Sequence, residues 1–192
     1  VVPAAADPWL APGDGRLRHD LQLLSDEGIV HAPLTTWPVS WAEVARDVRG
    51  AGDDLARPAH VAAALTRVRA AAAEATNTGE LEWHARLAGS EKPMTLRRFS
   101  DVPREEGEIS AGAQYTGDRF ALRLQATAVS NASDGEDLRP DGSYAAVVFG
   151  NWMLSAGYID RWWGPGWEGS LIYGTNSRPI PSITIERNYS DP

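Results

Sequence analysis

Between Glu108 and Val129 the side chains alternate in a way that admits few folds. In "EISAGAQYTGDRFALRLQATAV", Ile109, Ala111, Ala113 and Tyr115 fall on one side and Ser110, Gly112 and Gln114 on the other. After the turn at Gly117–Asp118, Phe120, Leu122, Leu124, Ala126 and Ala128 alternate with Ala121, Arg123, Gln125 and Thr127. A period of two on both sides of a tight turn is the pattern of an antiparallel hairpin. "ELEWHARLA" repeats it with Leu81, Trp83, Ala85 and Leu87, and "SYAAVVFGNWMLSAGYID" supplies a second hairpin turning at Gly150–Asn151. Five strands are predicted, with more strand structure expected after Pro181.

The connections alternate as well: long at 89–106, tight at 117–118, long at 130–142, tight at 150–151. Long and short turns on opposite ends, with one apolar face per strand, are the mark of an outer-membrane barrel. Tyr115, Phe120 and Trp152 then fall at the short-turn ends, where an aromatic girdle lies. A soluble antiparallel sheet packed on helices alternates too, so the pattern alone leaves both open. Arg123 and Gln125 on the inward face speak against the soluble sheet. Length speaks against a complete barrel, because eight strands is the small end for a membrane barrel. On the barrel reading the chain is an N-terminal portion of one, carrying its first five or six strands. No run of apolar residues is long enough for a membrane-crossing helix.

Upstream the period is helical. In "GDGRLRHDLQLLSDEG", Asp14 is a candidate N-cap, Leu17, Leu21 and Leu24 share a face, and Gly28 is a stop. In "SWAEVARDVRG", Ser40 and Glu43 have capping-box spacing and Trp41, Val44 and Val48 share a face. The third, "RPAHVAAALTRVRAAAAEATNTG", places Pro58 near its first turn and Val61, Leu65, Val68 and Ala72 in line. The fold class is therefore α+β, with residues 1–79 a helical bundle on the short-turn, periplasmic side and residues 80–192 barrel strands. Many inward positions of the bundle are only alanine, so it needs support from elsewhere.

The formal charge of -8 argues against nucleic acid as a partner. There is no cysteine, which removes disulfides and thiolate chemistry. "VVPAAADPWL" has no basic segment followed by an apolar run, so no signal peptide is visible, and "PAAAD" reads as the remnant of a cleavage site in an exported chain. His19, His31, His60 and His84 lack metal-ligand spacing, and no metal or cofactor is expected. Asp134, Glu136, Asp137 and Asp141 in "SDGEDLRPDGS" read as a solvated acidic loop rather than a calcium site. Asp160 and Glu168 are a poor glycosidase pair, since two carboxylates eight residues apart across a turn are commonplace.

The remaining signal is "DRWWGPGWEGSLIYGTNSRPIP", which sets Trp162, Trp163 and Trp167 around Gly164, Pro165 and Gly166. "PGDGRLRHDLQLLSDEGIVHAPLTTWPVSWAEV" followed by "DRWWGPGWEGSLIYGTNSRPIPSITIERN" closely resembles the capsule assembly proteins of the Wzi family, from about Trp9 to Asn188, with the middle alike only in pattern. The resemblance implies a large monomeric outer-membrane barrel, 18-stranded in type, closed at its periplasmic end by a helical bundle. It implies a lectin holding capsular polysaccharide at the cell surface, embedded in outer-membrane lipid, with no chemical step. The side chains suit that role. A tryptophan on a firm turn offers a π face to the C–H face of a pyranose, and a guanidinium holds a sugar carboxylate bidentately. Trp162, Trp163 and Trp167 are the candidate platform, Arg161 and Arg178 the candidate anion partners, and Asn176 a hydroxyl partner. Two other uses of these residues stay open: the rings pack on one another, or Arg161 orders the loop beside Asp160. The alternatives for function are an outer-membrane channel, a polysaccharide-active enzyme, and a soluble periplasmic carbohydrate-binding module.

Overall fold

The computed structural model describes residues 7–52, 56–100 and 103–187; residues 1–6, which hold most of "PAAAD", and the terminal "YSDP" lie outside them. The helical part comprises β1 (Trp9–Leu10), α1 (Gly15–Asp26), β2 (Thr36–Trp37), β3 (Val39–Ser40), α2 (Trp41–Gly50) and α3 (Ala59–Ala75). Its caps are the expected ones. Asp14 accepts the Leu17 N–H at 2.9 Å, Ser40 accepts the Glu43 N–H, and Pro58 stands just before α3. Leu21, Leu24, Val44, Val48, Val61, Leu65 and Val68 are fully buried between the helices. Asp20 on α1 grips Arg67 on α3 through both carboxylate oxygens at 2.7 Å, and Arg67 holds the Asp20 carboxyl below its ordinary range.

The alanines of α3 leave this core thin, and its missing support comes from far along the chain. Phe99 and Trp162 are 1% and 0% exposed and complete the helical core beside Trp37 and Trp41. Their rings meet edge to face, Trp37 to Phe99 at 4.8 Å and Phe99 to Trp162 at 5.7 Å, which are favourable aromatic geometries.

The second half is one antiparallel sheet. Its strands are β4 (Leu81–Gly89), β5 (Gly107–Thr116), β6 (Phe120–Ser130), β7 (Leu138–Arg139), β8 (Tyr144–Phe149), β9 (Trp152–Gly157) and, after the two-residue β10 (Trp162–Trp163), β11 (Ser182–Arg187). The order is β4-β5-β6-β8-β9-β11, so neighbours in space are neighbours in sequence. β11 is the strand expected after Pro181. The fourth wall position departs from the simple hairpin reading: β6 pairs with β8 over Phe120–Arg123 but with β7 at Thr127–Ala128. The intervening "PDGS" makes a turn, the Ser143 N–H donating to the Pro140 oxygen at 3.0 Å, and the Ser143 hydroxyl bonds the Gln125 backbone of β6 where the ladder is interrupted.

The sheet is inverted relative to a soluble protein. Leu81, Trp83, Leu87, Ile109, Leu122, Leu124, Val147, Leu154, Ile183 and Ile185 all stand exposed, Trp83 at 76% and Leu124 at 61%. Ser110, Gln114, Arg123, Gln125 and Ser155 occupy the alternate positions, and Ser110, Gln114 and Ser155 are buried. A soluble sheet turns its apolar face to the helices; here the polar face is turned to them. Water would not support so large an apolar face, whereas lipid would. Tyr115 and Phe120 stack at 5.5 Å beside the first tight turn, and Trp152 lies next to Arg187 at the second.

The helical part lies on the polar side of the wall rather than only beneath its short-turn edge. α3 leads into β4 at that edge, where the Gly79 N–H reaches the Thr116 oxygen at 2.8 Å. Phe99 and Trp162, however, belong to long connections of the opposite edge, and both enter the helical core. A second contact forms where Trp9 packs against Tyr144, Met153 and Ile159, its Nε1 donating to Glu186.

Replacing Phe99 with alanine is expected to destabilise α1–α3 by about 3–5 kcal/mol, read as the helical circular-dichroism signal against denaturant, although Phe99 belongs to no helix. Leu124→Arg is expected to cost about 2–4 kcal/mol of insertion into lipid vesicles, while Leu124→Ile, which keeps that face apolar, leaves insertion nearly unchanged.

Candidate functional site: the tryptophan loop and the cavity behind it

The segment after β9 builds a small ladder. Trp163 donates its N–H to the Tyr173 oxygen at 2.8 Å, and Leu171 donates to the Trp163 oxygen at 2.8 Å. On the other side β10 pairs antiparallel with β2, Trp162 opposite Trp37, and the Gly164 N–H reaches the Thr35 oxygen at 2.8 Å. The tip between the two arms is tight enough to require glycine. A Cβ on Gly166 would sit 2.3 Å from the Gly169 oxygen, and Gly164, at φ +141°, would bring one to 2.9 Å from the Leu171 nitrogen.

Alternation along this ladder separates the two adjacent tryptophans. Trp162 turns into the helical core and is wholly buried, its Nε1 bound to the Gly166 oxygen at 3.0 Å. It therefore presents no ring face to a ligand, against the expectation for a platform residue. Trp163 turns the other way and meets Tyr173 edge to face at 4.8 Å, with Tyr173 42% exposed. Trp167, at the tip, is 39% exposed. Tyr173 went unmarked in the sequence, although an apolar "LIY" between Gly169 and Gly174 was the available signal.

The polar candidates hold the loop. Arg161 donates to Thr184 Oγ1 at 2.7 Å, and Asn176 Oδ1 accepts the Arg97 N–H at 2.6 Å. Arg178 forks onto both oxygens of Asp141 at 2.9 Å and reaches Asp134 at 3.0 Å and also Glu136. Its donors are thus directed at protein carboxylates. Asp141 first, then Glu136 and Asp134, raise its pKa; the Glu136 N–H, then Arg178, hold Asp134 far below the ordinary carboxylate range. A depressed acid of this kind stabilises the fold above the unfolded value and loses that effect only as pH falls through the folded one. Arg104 ties Asp160 at 3.0 Å to the Thr175 and Ser177 oxygens, and Arg139 joins Glu105 at 2.7 Å to Asp134 at 2.8 Å. The three long connections are thereby laced together by arginine. Asp160 faces Arg104 and Glu168 faces Arg98, each as an ion-paired carboxylate.

Behind the loop, a cavity of about 730 Å³ separates α1 and α3 from the polar face of the wall. Arg123 anchors its floor, donating to Asp7 at 3.2 Å and to Gln125 at 2.9 Å, while His84 Nε2 meets Gln125 at 3.1 Å and the Tyr144 hydroxyl donates to Asp7. Gly112 makes room for the His84 ring, since a Cβ there would lie 2.6 Å from His84 Cε1.

Arg178→Met leaves Asp134, Glu136 and Asp141 facing one another without their shared cation. Proteolytic nicking within 131–142 and 175–181 is expected to rise in folded protein while the wall strands stay resistant, which limited proteolysis with mass spectrometry reads directly.

The family model for the capsule assembly protein Wzi matches residues 77–190. A Klebsiella pneumoniae protein described as an uncharacterized 55.8 kDa protein in the cps region is 32% identical over 181 residues, covering 93% of this chain and 34% of its own length. Among solved structures, Wzi of Escherichia coli, described as an outer membrane protein involved in group 1 capsule assembly and a carbohydrate-binding β-barrel, matches with a TM-score of 0.79 and 29% identity. That match covers 94% of this chain and 40% of the other, so the chain spans between a third and two-fifths of the length of these relatives. The matched stretch runs through every wall strand and the tryptophan loop, and the chain belongs to the Wzi capsule assembly family.

Proposed function

We propose that this chain forms the helical layer and first wall strands of an outer-membrane barrel that holds surface polysaccharide without a chemical step. The observation that carries the reading is the division of labour in the tryptophan loop. Trp162 is spent on the fold, while Tyr173, met edge to face by the half-buried Trp163, and Trp167 at the tip keep ring surface open on a turn that glycine contacts make rigid. Firm, exposed aromatic faces are what a pyranose ring stacks on. Arg161, Arg178 and Asn176 act by fixing those faces in place, since their polar atoms are engaged with the protein. The E. coli relative is described as carbohydrate-binding, which supports the same reading here. The helical layer lying across the polar face favours retention over free conduction.

The test is a tryptophan-fluorescence titration of the full-length protein in detergent with the purified surface polysaccharide of the source organism, a neutral glucan serving as control. Trp167→Ala and Trp163→Ala are expected to weaken binding about tenfold each with little change in melting temperature, whereas Trp162→Ala lowers the melting temperature first. Absence of a saturable change with the native polymer, in protein shown to be folded, overturns the reading.

A further inference from the structure

Arg18, in the second turn of α1, is 3% exposed, yet among the described residues it has no carboxylate partner. Instead its two terminal nitrogens donate to the carbonyl oxygens of Pro165 at 2.9 Å and Gly166 at 3.1 Å, the two residues at the head of the tryptophan turn. Its guanidinium lies 4.1 Å from the ring centre of Phe99 and 4.5 Å from that of Trp167. Phe99 closes the stack by meeting Trp167 at 6.1 Å, and the Phe99 N–H donates to the Trp167 oxygen at 2.9 Å. The space beside it is closely filled, since a Cβ on Gly15 of the same helix would fall 2.9 Å from Ser100 Oγ and 3.8 Å from the Trp167 ring.

A buried cation without an acid is costly, and it persists where its hydrogen bonds and π contacts are geometrically complete. Arginine alone meets both demands at once, because its flat fork spans two carbonyls while its face lies on aromatic rings; lysine, a point charge on a flexible stem, does not. One side of the Trp167 ring is thus backed by the helical layer, and 39% of the residue remains open.

We propose that Arg18 is a positioning residue for the polysaccharide platform: it clamps the Pro165–Gly166 turn and backs the Trp167 ring, so that the helical layer sets the angle at which Trp167 meets the polymer. The proposal rests on the platform reading of Trp167 given above. It makes the helical layer a part of the recognition surface rather than only a closure of the barrel.

The experiment uses full-length protein labelled with 5-fluorotryptophan and folded in detergent, with Trp167→Phe identifying the Trp167 resonance in the fluorine spectrum. Arg18→Lys and Arg18→Met are expected to shift and broaden that resonance while Trp83 and Trp152, out on the wall, keep theirs, which also reports that the protein is folded. Both variants are expected to weaken binding of the source organism's purified polysaccharide about tenfold, Lys no better than Met, and neither to add a further loss in a Trp167→Ala background. An unmoved Trp167 resonance in Arg18→Lys overturns the proposal. So does wild-type affinity in the Arg18 variants when Trp167→Ala binds weakly, or an undiminished Arg18→Met effect in the Trp167→Ala background. If Trp167→Ala itself binds like the unaltered protein, it is the platform reading that fails, and the role of Arg18 in recognition falls with it.

Discussion

The insertion of Phe99 and Trp162 into the helical core is the contact on which the rest of the structure depends. Three short helices whose inward positions include Ala64, Ala72 and Ala75 cannot bury enough surface to hold together alone. A buried Phe or Trp removes roughly 150–250 Å² from water, worth about 4–6 kcal/mol apiece at 25 cal/mol per Å² as an upper bound. Both rings come from connections between wall strands, so the helices acquire a core only once the wall has brought those connections round. The reverse dependence holds as well. A loop of glycines and tryptophans has no reason to keep one shape in water, and it keeps one here because β10 pairs with β2.

This mutual support explains why the space between helices and wall is left polar. The wall's apolar side chains point away from the helices, so its inner face carries Arg123, Gln125, Ser110 and Ser155 and cannot be glued to the helices by burial. Contact is concentrated at two apolar points instead, Trp9 against Tyr144 and Met153, and the Phe99–Trp162 pair against the helices. Between them the charges neutralise one another: Arg123 with Asp7, Arg104 with Asp160, Arg139 with Glu105. In a confined and poorly screened space an unpaired charge is expensive, which is why arginines, each able to reach several acceptors, recur at these junctions.

Much of the frame was legible because it is local. Strand alternation, the turns at Gly117–Asp118 and Gly150–Asn151, and the caps Asp14 and Ser40 each depend on residues within a few positions. The tryptophan loop stood out by composition, but which tryptophan faces outward did not, because that is set by pairing with Thr36–Trp37, well over a hundred residues earlier. For the same reason the chemistry of Arg178 looked available in the sequence and is taken up in the fold, its partners lying in another connection. Phe99, in "TLRRFS", carries no periodic signal at all, and Arg18 reads as an ordinary charged position on an amphipathic helix until the loop arrives above it. The break of the fourth wall position into β7 and β8 was hidden by a stretch that also reads as an acidic loop.

The paired Trp162 and Trp163 also bear on how such a loop can vary. Strand alternation forces adjacent residues to opposite sides, so the ring buried in the helical core and the half-buried ring that meets Tyr173 share one backbone and one register. A shift of one residue in β10 would exchange them, exposing the core ring and burying the other. Gly164 and Gly166 oppose that shift from one side, since no other residue fits their contacts, and the Trp162 Nε1 bond to the Gly166 oxygen opposes it from the other. The outward aromatic face is therefore as strictly placed as the core itself. Change in what the loop recognises has to come from residues beyond this register, at Trp167, Tyr173 and the exposed Leu171 and Ile172, where a new side chain alters the surface without moving the ladder beneath it.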